Sequence, residues 1–155
     1  MIRGFFSGAY LNQVDAKHRL SVPAPIRETI EARSATKTVI LAPSEHAPCL
    51  MGYDVTYLET LQRQLETRFA NDFGQARAGL ARAIFASADT LNYDENGRII
   101  LSPILRDLGS IEGPALFLGA GDYFELWSPS LFLRTESADP RLRRVVSALV
   151  AAKGG

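Results

Sequence analysis

The sequence predicts an α+β protein in which two tandem copies of one small β-rich unit pack into a single closed, barrel-like core with flanking helices. Three observations predict this fold class: a motif recurs at a constant offset, short apolar runs follow each motif, and other segments have the apolar periodicity of helices. Strands this short cannot bury two faces within one copy, so the two copies are expected to share a core.

The duplicated motif covers residues 15–27 and 94–106. Its polar and apolar positions recur 79 residues apart. The pairs are Asp15 with Asp94, Arg19 with Arg98, Arg27 with Arg106, Leu20 with Ile99, Val22 with Leu101, and Ile26 with Leu105. Two copies indicate a duplicated supersecondary unit, because a solenoid needs at least three repeats.

Each copy is predicted to fold in the order β-β-β-α. The strands are expected over 20–22, 38–41 and 49–51 in copy one and over 99–101, 115–118 and 123–127 in copy two. The Asp94-Glu-Asn-Gly segment is a turn sequence, since asparagine and glycine tolerate positive φ. After the first strand, proline is expected to open a helical turn that ends near Arg27 or Arg106.

Helices are predicted to separate and close the copies. Asp54 is expected to cap a helix that runs to about Phe69, and 75–86 is predicted as an extra helix. Ser128-Pro129 and Asp139-Pro140 are typical helix starts. We therefore expect one globular unit with three parts: a first repeat with its helix (1–72), a linker helix with the second repeat (73–137), and a C-terminal helix and tail (138–155).

The composition indicates a globular protein, with 46% hydrophobic and 22% charged residues among 155. The single cysteine, Cys49, excludes an internal disulfide framework and a cysteine zinc site, and it fits a reducing compartment. No signal peptide or membrane-length apolar run is visible, so a cytoplasmic, non-membrane protein is predicted. No metal or other cofactor is expected, since metal ligands are few and Gly119-Ala-Gly121 lacks the rest of a phosphate loop.

Charge gives a mixed indication of nucleic-acid binding. The 17 basic residues balance the 17 acidic ones, whereas nucleic-acid-binding domains usually carry a basic excess. Binding depends on where charges cluster, however, and Arg19 and Arg98 each follow a tight turn from which an arginine can reach phosphate or a guanine edge. The alternative role for each arginine is a structural ion pair with Asp15 or Asp94.

Other polar groups in the motifs are weighed in the same way. Lys17 adds charge beside Arg19, and its counterpart Asn96 can hydrogen-bond a base or a phosphate. Arg27 and Arg106 could touch DNA, but they are expected to end the helical turn and hold local acids. The cluster of Arg141, Arg143 and Arg144 is interpreted as a solvated helix face.

No catalytic constellation is expected, so the chain is predicted not to be an enzyme. His46 and Cys49 are close in sequence, but no third residue is available to orient them. A packed thiol and a loop histidine are the predicted roles.

The start Met1-Ile-Arg-Gly4 and the segment from Val14 to Pro23 resemble the opening of MraZ-family proteins. That pattern is an acidic residue, any residue, Lys-Gly-Arg, an apolar run and a proline. Asp94-Glu-Asn-Gly-Arg98 is similar to the family's second Asp-x-x-Gly-Arg motif, and 84–88 is similar to its linker. The resemblance extends from residue 1 to about residue 133.

The resemblance implies a swapped-hairpin β-barrel of AbrB type with both halves in one chain. It also implies a nucleoid-associated transcriptional regulator that binds double-stranded DNA at repeated promoter elements as a ring-like homo-oligomer. The expected role is repression of its own division and cell-wall operon. The residues expected to contact DNA are Arg3, Lys17, Arg19 and Arg98.

One residue departs from the family pattern: His18 stands where the family has glycine. Because that turn position favours positive φ, the first turn is expected to be strained or differently shaped. The alternative function is an AbrB-like, antitoxin-like module that binds protein and little DNA. The zero net charge favours this alternative.

Overall fold

Each copy of the repeat folds in the order β-β-α-β-β-α in the computed structural model, which describes residues 4–153. Copy one consists of β1 (Ala9–Gln13), β2 (Arg19–Ser21), α1 (Ala24–Ser34), β3 (Thr38–Pro43), β4 (Leu50–Tyr53) and α2 (Tyr57–Arg68). Copy two consists of β5 (Asp89–Asn92), β6 (Arg98–Ile100), α4 (Pro103–Leu108), β7 (Pro114–Gly119), β8 (Phe124–Trp127) and α5 (Pro129–Arg134). The helix α3 (Gln75–Phe85) joins the copies, and α6 (Pro140–Ala152) follows them.

The predicted order β-β-β-α is wrong, because each copy has a further strand before its motif turn. These strands are β1 and β5. Neither strand has a fully alternating apolar pattern, and in β5 only Leu91 is apolar. Each strand forms because it pairs with the other copy, which sequence periodicity within one copy does not reveal.

The main sheet has six antiparallel strands in the order β1-β7-β8-β4-β3-β5. Its centre is the pairing of β4 with β8, one strand from each copy. At its two edges the copies interleave: Leu11 of β1 lies opposite Leu116 of β7, and Thr90 of β5 lies opposite Ile40 of β3. Both copies are therefore needed to complete the sheet.

The strands β2 and β6 form a separate two-stranded antiparallel ladder. Leu20 lies opposite Ile99, its own equivalent 79 residues along the chain. A residue that pairs with its own equivalent in an antiparallel ladder is what a local twofold axis produces. The ladder therefore relates the two copies by pseudo-twofold symmetry.

A single closed barrel is not confirmed. Within residues 4–153, β1 and β5 are the edges of the six-stranded sheet and are not paired with each other. The ladder of β2 and β6 has only three residues in each strand. The described strands form a six-stranded antiparallel sheet and a two-stranded ribbon, accompanied by several helices, which agrees with the mixed α and β content predicted.

The central core draws on both copies. Leu20 and Ile99 point inward from the ladder, and Ile26, Leu101 and Leu105 pack with them, all almost fully buried. Burying each aliphatic side chain contributes about 1.5–3 kcal/mol relative to leaving it exposed. The duplicated apolar positions therefore form one shared core.

Two smaller apolar clusters cover the rest of the sheet. One joins β1 and β7 to α5 and α6, and it includes the buried Trp127. The other packs α2, with the end of α3, against β3 and β4. No helix within residues 4–153 is long and apolar enough to cross a membrane.

Two helix starts agree with the prediction and one does not. Ser128 Oγ accepts from Leu131 N (3.3 Å), and Asp139 Oδ1 accepts from Arg141 N (2.8 Å). Asp54, by contrast, is not the N-cap residue of α2, which is Thr56. Asp54 is fully buried, and its Oδ1 accepts from Arg33 Nε at 2.7 Å. Asp54 therefore ties α1 to the start of α2 by a buried ion pair.

Candidate nucleic-acid interface

The two motif turns have the same hydrogen-bond framework. In copy one, Asp15 Oδ1 accepts from the backbone N–H groups of Lys17 (2.9 Å) and Arg19 (2.8 Å). In copy two, Asp94 Oδ1 accepts from Asn96 (2.8 Å) and Arg98 (3.0 Å). An aspartate that binds the backbone two residues ahead favours a tight turn, so each motif aspartate shapes its own turn.

His18 adopts the backbone conformation that glycine adopts in the second turn. Its φ is 63°, and that of Gly97 is 77°. Of the two outcomes expected for the first turn, a strained turn or a differently shaped one, the second is wrong, because the aspartate framework is the same in both copies. Histidine still holds a positive φ at some steric cost, which glycine does not incur.

Both motif arginines form the ion pairs that were the alternative to DNA contact. Arg19 Nε lies 2.7 Å from Asp15 Oδ2, and Arg98 Nε lies 3.1 Å from Asp94 Oδ2. Each arginine side chain remains about one-third exposed, at 32%. Within residues 4–153 the terminal guanidinium nitrogens have no hydrogen-bond partner, so the ion pair orients each arginine and leaves most of its donors available.

The same contacts affect the acidity of the carboxyl groups. The backbone N–H of Arg19 is the largest cause that lowers the pKa of Asp15, and the Arg19 side chain adds to it. The backbone N–H of Arg98 likewise lowers the pKa of Asp94. Both carboxyl groups are therefore charged at neutral pH and hold their arginines in place.

The ladder presents both arginines on one face. Leu20 and Ile99 point into the core, so strand alternation directs Arg19 and Arg98 to the opposite, outer face. The register places Arg19 opposite Ile100 and Arg98 opposite Ser21. The two arginines are thus two residue pairs apart, about 7 Å along the strands.

The other predicted contact residues are Lys17 and Arg3. Lys17 and Asn96 lie at equivalent exposed positions in the two turns. Arg3 lies outside the described residues. The ladder therefore brings Arg19 and Arg98 to one outer face, and Lys17 lies exposed in the first turn, two residues before Arg19.

Arg27 does not end a helical turn as predicted, whereas Arg106 does lie in the last turn of the short helix α4. In copy one, α1 continues beyond Arg27 to Ser34, because Ile26 and Ile30 are buried one helical turn apart. Neither arginine has an acidic partner in the part of the chain that the structure describes: Arg27 Nε donates to Val22 O (2.9 Å), and Arg106 Nε donates to Ile111 O (3.1 Å).

Both arginines instead lie beside the motif turn of the opposite copy. Arg27 lies over Gly97, and Arg106 lies 3.1 Å from the ring of His18. This pairing across the copies was not predicted, although the common offset of the two arginines was a signal that could have indicated it.

The remaining polar groups give no catalytic arrangement among the described residues. Cys49 is buried, and burial, followed by the Glu125 charge, raises the pKa of its thiol to about 12. His46 is an exposed loop residue. Residues 4–153 contain no group of three or more side chains that could hold a metal ion.

The C-terminal arginines are in part engaged in local contacts. Arg141 pairs with Asp139, and Arg143 donates to Thr135 O. Arg144 is exposed on α6. Only part of this cluster is therefore the solvated face that was predicted.

Comparison with known proteins gives consistent matches. The family model described as "MraZ protein, putative antitoxin-like" matches residues 84–144. A protein of Gluconobacter oxydans is 32% identical over 145 residues, which cover 92% of this chain and 87% of that protein. Proteins of Rickettsia akari (34% over 127 residues; 82% and 83%) and Hydrogenovibrio crunogenus (35% over 124 residues; 80% and 80%) are similar. All three carry the name "Transcriptional regulator MraZ".

Proposed function

The chain belongs to the MraZ family, and from this we propose that it is a transcriptional regulator that binds double-stranded DNA through its two motif turns. The observation that carries the proposal is the position of Arg19 and Arg98. Both lie on the outer face of one ladder, held through Nε, with their terminal nitrogens available. Arginine in this arrangement can donate two hydrogen bonds to guanine O6 and N7 or to a phosphate.

The dimensions of the ladder support contact with the major groove. That groove is about 12 Å wide and admits a two-stranded β-ribbon. The two arginines, about 7 Å apart along the strands, can therefore enter one groove together. Lys17, exposed two residues before Arg19, would contact a phosphate, which adds affinity without sequence preference. Arg3 belongs to the same proposed surface.

The interleaved edge strands support the AbrB-type architecture. Each copy's first strand pairs with the other copy, as expected of two exchanged halves. We extend the proposal to a swapped-hairpin barrel built from repeats 1–72 and 73–137, with 138–155 as a C-terminal appendage. In this arrangement neither half folds without the other.

The small number of basic contacts in one chain favours an oligomer. The slope of log affinity against log salt is about 0.9 per phosphate neutralised. A monomer with three or four such contacts would bind weakly at physiological salt. We therefore include in the proposal a ring-like homo-oligomer, nucleoid-associated, that binds repeated promoter elements and represses its own division and cell-wall operon.

The experiment that tests the proposal is a gel-shift titration with the DNA upstream of the chain's own gene. Arg19→Ala is expected to weaken binding by about 1–3 kcal/mol for each engaged chain if it reads a base edge. Arg98→Ala should weaken binding too. Lys17→Ala should mainly lower the salt slope, by about one unit per engaged chain.

Arg144→Ala is the matched control, since it removes an exposed arginine outside the proposed surface. Circular dichroism shows whether each variant is folded. A folded Arg19→Ala protein with unchanged affinity would remove the motif turns from the proposal.

A protein-binding, antitoxin-like module is the second candidate function. The description of the matching family model favours it, as does the zero net charge. In that case the folded wild-type chain would not shift promoter DNA at any salt concentration, and the same titration therefore separates the two functions.

A further inference from the structure

The two motif turns differ at their tips, where His18 in copy one corresponds to Gly97 in copy two. The second turn has no room for a side chain, because a Cβ at position 97 would lie 2.5 Å from Arg27 Nε. Arg27 is held there by its hydrogen bond to Val22 O. The space above Gly97 is thus filled by the arginine of the opposite copy.

Arg106, the equivalent of Arg27, is arranged differently. Its Nε donates to Ile111 O (3.1 Å) and its Nη2 donates to Glu112 O, both just beyond the end of α4. Its Nη1 lies 3.1 Å from His18 Nδ1. Arg106 is therefore anchored away from the turn tip, which leaves room for the imidazole and gives it a partner.

This contact determines which ring nitrogen of His18 carries the proton. A guanidinium has only donors, so Nδ1 must accept the hydrogen bond, and the neutral ring then carries its proton on Nε2. The His18 side chain is exposed, and within residues 4–153 Nε2 has no hydrogen-bond partner. The first turn thus presents an unused N–H donor between Lys17 and Arg19.

We propose that His18 is a specificity-determining residue whose Nε2–H donates to an acceptor on a base edge beside the base contacted by Arg19. Arg106 is its positioning residue. In the major groove such acceptors are guanine O6 and N7, adenine N7 and thymine O4. Gly97 provides no such donor. The second turn therefore lacks this contact, and the two turns of one chain differ in the base pairs that they can recognise. This inference rests on the proposed DNA-binding function.

The first test measures affinity for the promoter DNA and for a set in which each base pair is substituted in turn. His18→Gly should fold, since Gly97 shows that glycine suits this turn. It should lose about 3- to 10-fold in affinity per engaged chain, the value of one hydrogen bond, and lose discrimination at one base pair. His46→Ala, which removes the chain's other histidine, should match the wild type.

The second test examines the role of Arg106. Arg106→Lys keeps the charge, but a single ammonium group cannot donate to two carbonyl oxygens and the imidazole in the geometry of the planar guanidinium. It should weaken discrimination at the base pair that His18 affects. In the His18→Gly background it should have no further effect on that base pair, whereas a purely structural role would weaken binding in both backgrounds.

The possible results separate this inference from the proposed function. If the folded wild type binds no DNA, the proposed function fails and this inference fails with it. If the wild type binds but His18→Gly leaves affinity unchanged, or weakens binding equally for every sequence in the set, only this inference fails. Equal weakening would indicate a phosphate contact.

Discussion

Among single residues, the aspartate of each motif is the one that shapes the turn. Asp15 and Asp94 each accept two backbone N–H groups with one oxygen and the arginine Nε with the other. The ion pair and the DNA-contact role, which are alternatives from sequence alone, are therefore compatible. The carboxylate uses only Nε and leaves the terminal nitrogens available.

The acidity of these aspartates gives the first prediction. Both carboxyl groups should titrate below the ordinary value of 3.8, because the folded state stabilises the charged form. Their contribution to the free energy of unfolding is present above pH 3.8 and is lost as the pH falls through the lower folded-state pKa. Carboxyl-carbon NMR against pH measures the two midpoints.

The matched variant is Arg98→Ala. It removes the side-chain partner of Asp94 but keeps the backbone N–H, which is the larger cause of the shift. The pKa of Asp94 should therefore rise only part of the way to 3.8, and that of Asp15 should stay unchanged. A midpoint at or above 3.8 in the wild type contradicts the turn geometry.

Cys49 is predicted to be chemically inert in the folded chain. Its pKa is raised to about 12, since burial disfavours the thiolate, which is the reactive form. Stability that depends on the neutral thiol is present below about pH 9 and declines as the pH rises toward 12. At pH 8, Ellman's reagent should not react with the native protein and should react with one thiol per chain in denaturant. Rapid reaction of the native protein would show that the Cys49 thiol is accessible to the reagent and contradict its burial.

Among the secondary-structure elements, the ladder of β2 and β6 depends most on contacts between copies. Three residue pairs are too few for an isolated hairpin or ribbon to be stable in water. Its stability comes from Leu20 and Ile99, which are buried in the shared core beneath the arginines. The proposed DNA-contacting face is therefore supported from within by the duplicated apolar residues.

Leu20→Ala is expected to lower the free energy of unfolding by about 2–5 kcal/mol, because it leaves a cavity in the packed core. Ser21→Ala, one residue away on the exposed face of the same strand, is the control and should stay within about 0.5 kcal/mol of the wild type. Urea denaturation followed by circular dichroism measures both. If Leu20→Ala lowered the free energy of unfolding by less than about 1 kcal/mol, Leu20 would not be a closely packed part of the shared core.

At the scale of the whole molecule, pseudo-twofold symmetry places the two motif turns about one axis. One chain then presents a single face with a few basic side chains, although its total charge is zero. Apart from Lys17, Arg19 and Arg98, the chain has 14 basic against 17 acidic residues, and the acidic ones include the ion-pair partners Asp15 and Asp94. Net charge is therefore a poor guide to the local charge of this face.

We expect the free protein to be an oligomer. Light scattering coupled to gel filtration should give a mass that is a multiple of the 17.0 kDa chain. The salt slope of binding should exceed that of one chain with three or four phosphate contacts, about 3 to 4 log units per log unit of salt. A clean monomer that still bound its promoter tightly would contradict the assembly proposal.

Much of the fold and of the candidate site was predictable because it depends on local chemistry. The apolar strand positions, the helix caps at Ser128 and Asp139, and the aspartate-arginine turns are set by residues near one another in sequence, and the offset of 79 residues is visible because that local pattern occurs twice. Periodicity and turn chemistry act over a few residues, so they remain visible without a structure. The family resemblance rests on the same short motifs.

Only the tertiary structure decided the features that join distant residues. The strands β1 and β5 form because the other copy supplies their hydrogen-bond partners, and Asp54 is an ion-pair partner because α1 brings Arg33 to it. Arg27 and Arg106 reach the opposite turns for the same reason. The sequence by itself determined the duplication, the local elements and the motif turns. Packing decided which copy completes each sheet edge and which arginine meets each turn, because those contacts depend on how the two copies are placed in space.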